Sequence, residues 1–177
     1  MNATMSQECM KRFIIVLDGP KGSGKTTISA EIKKQLSNIQ YLSLDELRRS
    51  IPKAKATADF NQQAFGMLLE EVTKKYEEGS NIIIDCGLVE QKLQDLEVVV
   101  KALGAKLYKY SLVAPFEVLL ERVKQRDIQN GKETDEKRFT YLYDVLQAKA
   151  FTGYTVFDTH KLSLDDIVEQ IIRQVKK

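Results

Sequence analysis

The sequence predicts an α/β fold in which a parallel sheet of about five strands lies between two layers of helices. Short runs rich in branched apolar residues alternate along the chain with segments of helical periodicity, and this alternation indicates βαβ units with right-handed crossovers. The first run, residues 13–17, is continuously apolar, which is typical of a strand buried on both faces of a parallel sheet. We therefore expect a three-layer α/β/α sandwich.

Each element of this fold has its own signal. Strands are predicted at residues 13–17, 41–44, 81–85, 106–113 and 154–157. Helices are predicted at residues 26–36 and 45–50, and five more are marked at one end by the caps Asp59, Thr134 and Ser163, by Pro115 in a first turn, and by the terminating Gly104. Pro52 ends the short helix, because a proline disfavours the helical conformation in the residue before it.

The composition is that of one globular domain. With 43% hydrophobic and 29% charged residues in a chain of 177, the sequence is unlike a disordered one. A chain of this length buries roughly 70% of its unfolded surface, so its core requires no disulfide or structural metal. We expect a single domain over residues 1–177, with its core starting at about residue 12 and a short lid at about residues 127–135.

The cysteines and apolar runs indicate a cytoplasmic protein. Cys9 and Cys86 form no C-x-x-C pair, so both are predicted to be free thiols. No apolar run approaches the roughly 20 residues of a membrane helix, and residues 1–12 contain no apolar signal-peptide core. We expect no membrane partner, and nothing in the sequence indicates an obligate protein partner.

Residues 19–26, G-P-K-G-S-G-K-T, match the phosphate-binding pattern G-x-x-x-x-G-K-[ST] at every fixed position. The loop joins a buried strand to a helix, so its N–H groups can surround phosphate oxygens at the positive end of the helix dipole. Lys25 is predicted to reach the β and γ phosphates of ATP, and Thr26 to hold Mg²⁺. The predicted nucleotide-binding residues of this segment are Gly19, Lys21, Gly22, Ser23, Gly24, Lys25, Thr26 and Thr27.

Two acidic residues lie at the ends of predicted strands. Asp85 ends the run 81–85, where a second acidic residue can orient Mg²⁺ or its water ligands; the alternative is a carboxylate that only caps the strand end. Asp18 directly precedes the glycine-rich turn, and for this residue a structural hydrogen-bonding role is favoured.

The segment after the second predicted strand contains a candidate base. Asp45 and Arg48 lie three residues apart and share one helical face. Asp45 could accept a hydroxyl proton while Arg48 and Arg49 bind an anionic acceptor; the alternative is a surface ion pair of little energetic value. From Arg48 to Ala58 there is no acidic residue and there are four basic ones, namely Arg48, Arg49, Lys53 and Lys55. This run favours an acceptor that bears phosphate, against the alternative of an ordinary solvated loop.

The phosphate loop, the Asp45–Arg48 element and the arginines before the polar loop together resemble the kinase domain of the 5′-hydroxyl polynucleotide kinases. The plan is also similar to that of zeta-toxin-type and chloramphenicol phosphotransferase-type kinases. The resemblance implies that Asp45 acts as base, that Arg48 binds the acceptor, and that Arg126, or as a second candidate Arg122, stabilises the transferring group. It also places adenine near residues 157–161, where His160 is expected to be an ordinary polar residue.

The sequence therefore predicts an ATP- and Mg²⁺-dependent kinase whose first candidate acceptor is the 5′-OH of a nucleoside or polynucleotide. One alternative acceptor is a metabolite or antibiotic hydroxyl, and an alternative of another class is a regulatory NTP-binding switch. A GTPase is disfavoured because the chain contains no N-K-x-D element, and an AAA+ motor because 177 residues leave little room for its helical domain. A net charge of +2 argues against a long binding surface for double-stranded nucleic acid, but it allows the protein to bind a single phosphate-bearing end.

Overall fold

The computed structural model describes residues 12–52, 59–87, 90–147 and 152–177, and within these ranges strands and helices alternate as predicted. The strands are β1 (Phe13–Asp18), β2 (Ile39–Ser43), β3 (Asn81–Asp85), β4 (Lys106–Val113) and β5 (Thr155–Asp158). The helices are α1 (Lys25–Gln35), α2 (Leu44–Ser50), α3 (Phe60–Glu77), α4 (Glu90–Ala102), α5 (Phe116–Gln129), α6 (Glu136–Gln147) and α7 (Leu164–Val175). The α/β prediction is confirmed.

All five strands belong to one parallel sheet with the order β2-β3-β1-β4-β5. The central strand β1 pairs with β3 on one side and β4 on the other. In this register Asp85 lies opposite Leu17 of β1 and opposite Ser43 of β2. The carboxyl ends of β1, β2 and β3 therefore meet at one edge of the sheet, which is where ligands bind in open α/β sheets.

The core consists of two apolar layers, one on each face of the sheet. Alternate residues of β1 point to opposite faces, so Ile15 and Leu17 pack with α1 and α7 while Ile14 and Val16 pack with α3 and α4. All six residues of β1 are buried. Burial on both faces explains why this strand is apolar throughout and why it occupies the centre of the sheet.

The helix caps agree with the sequence signals at most positions. Asp59 and Ser163 accept hydrogen bonds from the N–H groups of Gln62 and Asp166, as their capping patterns predict. The prediction of Thr134 as the cap of α6 was wrong. Asp135 is the residue that accepts the N–H of Arg138, at 3.0 Å.

The polar stretch after α5 also begins later than expected. α5 extends to Gln129, so residues 127–129 form its last turn and the connection to α6 covers residues 130–135. Asp127 and Gln129 are polar and Ile128 between them is exposed, so this last turn has no apolar periodicity and resembles a loop in the sequence. Gly131 adopts a φ of +65°, in agreement with the predicted turn at this point.

No helix in the described part of the chain is both long and apolar enough to cross a membrane. Cys86 is buried and takes part in no disulfide bond with another described residue, and Cys9 lies outside the described residues.

Candidate active site

Residues 19–26 form a loop between β1 and α1 whose glycines adopt backbone conformations that other residues rarely take. The φ angles are +139° at Gly19, +82° at Gly22 and +93° at Gly24. Helix α1 starts after Gly24 with no side-chain cap and no acidic residue in its first turn. Among the described residues no side chain caps the N–H groups of that turn, and the helix dipole favours an anion there.

The loop is packed tightly against β4 and α5. A Cβ atom at Gly19 would lie 2.3 Å from the carbonyl oxygen of Leu112, and one at Gly22 would lie 2.7 Å from that of Leu119. Ser23 is fully buried, and its hydroxyl has no hydrogen-bond partner among the described residues. The other predicted loop residues, Lys21, Thr26 and Thr27, are exposed at the mouth of the loop. The loop thus presents backbone and polar side chains from a fixed position.

Asp18 is placed beneath the loop. It is fully buried and accepts the N–H of Gly19 at 2.7 Å and the hydroxyl of Tyr154 at 3.4 Å. Burial, followed by the nearby Asp18 carboxylate, raises the pKa of Tyr154, so that this hydroxyl remains a donor. These contacts support the predicted structural role of Asp18.

Lys25, Thr26 and Asp85 come together at the edge of the sheet. The Lys25 ammonium donates to the carbonyl oxygens of Gly19 and Pro20 at 2.8 and 3.1 Å and lies 3.8 Å from Oδ1 of Asp85. The Thr26 hydroxyl donates to Oδ2 of Asp85 at 3.5 Å. The side chains of Lys25 and Asp85 are only 14% and 13% exposed, so solvent screens their attraction less than it would at the surface.

Thr26 and Asp85 fit a Mg²⁺ ion that is shared with a nucleotide. Magnesium is bound by oxygen ligands, commonly one or two carboxylates together with substrate phosphates and water. Among the described residues there is no cluster of three or more His, Cys, Asp or Glu side chains that could hold a metal by itself. The hydroxyl and carboxylate beside the phosphate loop are the donors that such a shared site requires.

Tyr41 also belongs to this group, although no sequence motif marks it. Its hydroxyl donates to Oδ2 of Asp85 at 2.8 Å. Burial is the main cause that raises the pKa of Tyr41 well above its ordinary value; the Asp85 charge adds to this effect, and hydrogen bonds with Thr26 and Ser43 oppose it. The signal in the sequence is the two-residue period of β2, which places Tyr41 and Ser43 on one face of the strand.

Asp45 lies next to this group at the start of α2. Ser43, which pairs with Asp85 in the sheet, caps α2 by accepting the N–H of Glu46 at 3.4 Å. Asp45 therefore lies only two residues after the β2 residue that pairs with Asp85. Its carboxylate accepts a hydrogen bond from Nη1 of Arg48 at 2.7 Å, and 56% of the Asp45 side chain is exposed. The structure thus places the predicted base at the edge of the sheet, open to an acceptor.

Arg48 retains hydrogen-bonding capacity beyond this ion pair. Its Nε is buried and has no hydrogen-bond partner among the described residues. Five N–H donors in a planar fork allow one arginine to hold a carboxylate and a second anion together. Arg49 is exposed, and Lys53 and Lys55 of the basic run lie outside the described residues.

The two candidate lid arginines have different surroundings. Arg122 donates to the carbonyl oxygen of Gly22 at 3.3 Å and to the hydroxyl and carbonyl oxygens of Thr159 at 3.0 and 2.9 Å. It thereby joins α5 to the phosphate loop and to the segment where adenine is predicted. Arg126, one turn further along α5, pairs with Asp127 at 3.2 Å and is 51% exposed. The structure brings Arg122 to the loop, and the role of Arg126 stays a prediction.

Asp127 anchors the connection between α5 and α6. Its carboxylate accepts the Thr134 hydroxyl at 3.0 Å, and its carbonyl oxygen accepts the N–H of Lys132 at 2.8 Å. Burial alone would raise the pKa of Asp127, but hydrogen bonds from Thr134 and Arg126, with the charges of Arg126 and Lys21, lower it overall. Since Lys21 belongs to the phosphate loop, the anchor of the predicted lid lies within electrostatic reach of that loop.

One family model matches most of this chain. The model of the AAA_33 family, described as an AAA domain, matches residues 14–148, which include the phosphate loop, Asp45, Asp85 and both arginines.

Similar proteins include two curated nucleotide kinases. The cytidylate kinase of Staphylothermus marinus is 25% identical over 88% of this chain and 85% of its own length. The adenylate kinase of Methanopyrus kandleri is 24% identical over 93% of this chain and 98% of its own length. The match to each relative thus extends over most of both chains.

A solved structure shows the same fold. The crystal structure of a gluconokinase from Sinorhizobium meliloti superposes with a TM-score of 0.68 and 18% identity, covering 93% of each chain. The likenesses support an ATP-dependent phosphotransferase with a P-loop kinase fold. The narrower resemblance to the 5′-hydroxyl polynucleotide kinases stays a prediction.

Proposed function

Because the chain belongs to the AAA_33 family of AAA domains, we propose that it is an ATP- and Mg²⁺-dependent kinase whose acceptor is a hydroxyl group. The first candidate acceptor is the 5′-OH of a nucleoside or of a polynucleotide end. The phosphate loop, the Lys25–Thr26–Asp85 group and the family support phosphoryl transfer from ATP. The observation that supports a hydroxyl acceptor is the Asp45–Arg48 ion pair at 2.7 Å, which follows directly after Ser43, the residue that pairs with Asp85.

Each of these residues has its own role in the proposed transfer. Asp45 accepts the proton of the acceptor hydroxyl, whose oxygen forms a bond to the γ-phosphorus while the bond to the β–γ bridging oxygen breaks and ADP leaves. Lys25 and the N–H groups at the start of α1 stabilise charge on the phosphates. Mg²⁺ held by Thr26 and Asp85 would neutralise further phosphate charge. Arg48 uses its remaining donors to hold a phosphate of the acceptor.

Arg126 has a conditional role in this proposal. An arginine on the transferring group can contribute 10³- to 10⁵-fold in rate. Arg126 can supply this effect only after its ion pair with Asp127 opens, because that pair directs it toward the connection between α5 and α6. Closure of the predicted lid over the bound nucleotide is the motion that would open the pair and exclude water.

The test is transfer of label from γ-labelled ATP to a panel of acceptors, comprising 5′-OH DNA, 5′-OH RNA, nucleosides, nucleoside monophosphates and small hydroxyl compounds. We expect label on a 5′-OH, its loss in Lys25→Ala, and a fall of roughly 10²- to 10⁴-fold in Asp45→Asn, the range for a general base. Full activity in Asp45→Asn would refute the assignment of the base. Hydrolysis of ATP unaffected by every acceptor would instead favour the nucleotide-dependent switch.

A second candidate acceptor is the phosphate of a nucleoside monophosphate. The observation in its favour is the near full-length likeness to relatives named cytidylate kinase and adenylate kinase. A phosphate monoester with a second pKa near 6 is already largely ionised at neutral pH and requires no general base. Asp45→Asn would then leave most of the rate intact and raise mainly KM, and the labelled product would be a nucleoside diphosphate.

A further inference from the structure

Tyr41 contacts Asp85, the predicted metal-binding carboxylate, but has no part in the proposed chemistry. It lies on β2, and its ring packs against the apolar layer formed with α1 and α7. Its hydroxyl donates to Oδ2 of Asp85 at 2.8 Å, which is the shortest contact described for that carboxylate.

The position of the hydroxyl follows from the sheet register. Tyr41 lies opposite Ile83, and Asp85 lies opposite Ser43, two residues further along the strands. Two strand residues rise about 6.6 Å, a distance that an extended tyrosine side chain spans. Both Tyr41 and Asp85 point to the face of the sheet on which α1 packs, so the hydroxyl arrives beside Thr26 as well.

The two oxygen atoms of the Asp85 carboxylate have different partners. Oδ2 accepts the hydroxyls of Tyr41 and Thr26, whereas Oδ1 lies 3.8 Å from the Lys25 ammonium. The Tyr41 contact at 2.8 Å is much closer than the Thr26 contact at 3.5 Å, so Tyr41 sets the plane of the carboxylate more strongly than Thr26 does.

We infer that Tyr41 is a positioning residue, which orients the Asp85 carboxylate toward Mg²⁺ through the hydrogen bond from its hydroxyl. This inference rests on the proposed function, because it takes Asp85 as a metal-binding residue. Outer-shell hydrogen bonds that orient a ligating carboxylate typically affect metal affinity by 10- to 100-fold. Tyr41 itself touches neither substrate nor metal in this role.

The matched pair of variants is Tyr41→Phe and Tyr108→Phe. Each removes one hydroxyl and keeps the ring packed. The Tyr108 hydroxyl donates at 3.0 Å to the carbonyl oxygen of Gln174 on α7, and Tyr108 lies on β4, two strands away from Asp85, so its loss reports the cost of one such hydrogen bond for stability. We expect both variants to lower Tm by a similar amount, roughly 2–4 °C per kcal/mol lost.

The readout is the Mg²⁺ concentration that half-saturates binding of a fluorescent ATP analogue with a non-transferable γ-phosphate. We expect Tyr41→Phe to raise this concentration about 10-fold and Tyr108→Phe to leave it unchanged. In an Asp85→Asn background, adding Tyr41→Phe should have no further effect on it, because the carboxylate to be oriented is gone.

The outcomes separate this inference from the proposed function. Equal Mg²⁺ dependence in wild type, Tyr41→Phe and Tyr108→Phe would overturn the inference while the kinase proposal stands. Analogue binding that in the wild type is independent of Mg²⁺ would overturn the metal site itself, and the inference with it. The assay needs no acceptor, so an error in the acceptor affects neither result.

Discussion

The tight contact between the phosphate loop and α5 can be tested by adding one methyl group at Gly22. The φ of this residue is +82°, and its Cβ would lie 2.7 Å from the Leu119 carbonyl oxygen and 3.2 Å from Cγ2 of Val123. The carbonyl is part of a helix backbone, so it cannot rotate away as a side chain could. The left-handed conformation costs alanine about 1–2 kcal/mol, and overpacking adds about 1–3 kcal/mol. We expect Gly22→Ala to lower the free energy of unfolding by about 2–5 kcal/mol.

Gly24→Ala is the matched control. Its φ of +93° is also left-handed, but a Cβ there would have no heavy atom within 4 Å. Gly24→Ala should therefore lower the free energy of unfolding only by the cost of the left-handed backbone, about 1–2 kcal/mol. Urea unfolding followed by far-UV circular dichroism suits the comparison, because the chain has no tryptophan. The excess loss of about 1–3 kcal/mol in Gly22→Ala corresponds to a Tm about 2–12 °C below that of Gly24→Ala. Equal losses in the two variants would show that the loop is not held against α5 as described.

Two further predictions concern the connection between α5 and α6. The pKa of the Asp127 carboxyl is lowered in the folded protein, so its charge stabilises the fold above its unfolded pKa of about 3.9, and this contribution is lost as pH falls through the lower folded pKa. In urea unfolding at a series of pH values, Asp127→Asn should lose stability at neutral pH and show a shallower decline below about pH 4; an unchanged acid profile would contradict this. Asp135→Ala should destabilise by about 1 kcal/mol in thermal unfolding because it removes the helix cap, whereas Asp135→Asn, which can cap equally well, should lose little; equal losses would contradict the assignment of the cap.

The parts of the fold that the sequence predicts well are those governed by local chemistry. The caps Asp59 and Ser163 act through the N–H group three residues later, and the glycine-rich loop requires positive φ at fixed spacings. The apolar run 13–17 indicates the buried central strand because both of its faces are covered. Thr134 and Asp135 show the limit of such signals, since two adjacent residues can each cap a helix and only the backbone path decides between them.

The active-site contacts that were missed depend on register and docking. Tyr41 meets Asp85 because β2 pairs with β3 so that Ser43 lies opposite Asp85, and a shift of one residue would turn Tyr41 to the other face of the sheet. The sequence placed the second strand at 41–44, whereas the structure has it at Ile39–Ser43, so that the pairing could not be read from the strand signal alone.

The two arginines of α5 illustrate the same dependence in the site itself. Arg122 and Arg126 are four residues apart, so they share a helical face and sequence periodicity cannot distinguish them. What separates them is the point at which α5 meets the phosphate loop, where Gly22 approaches the Leu119 backbone too closely to admit a side chain. That contact puts Arg122 level with the Gly22 carbonyl oxygen, and it leaves Arg126 one turn further on, beside Asp127. The methyl group introduced by Gly22→Ala should therefore disturb Arg122 more than Arg126, because the displaced loop carries the carbonyl oxygen that accepts the Arg122 hydrogen bond.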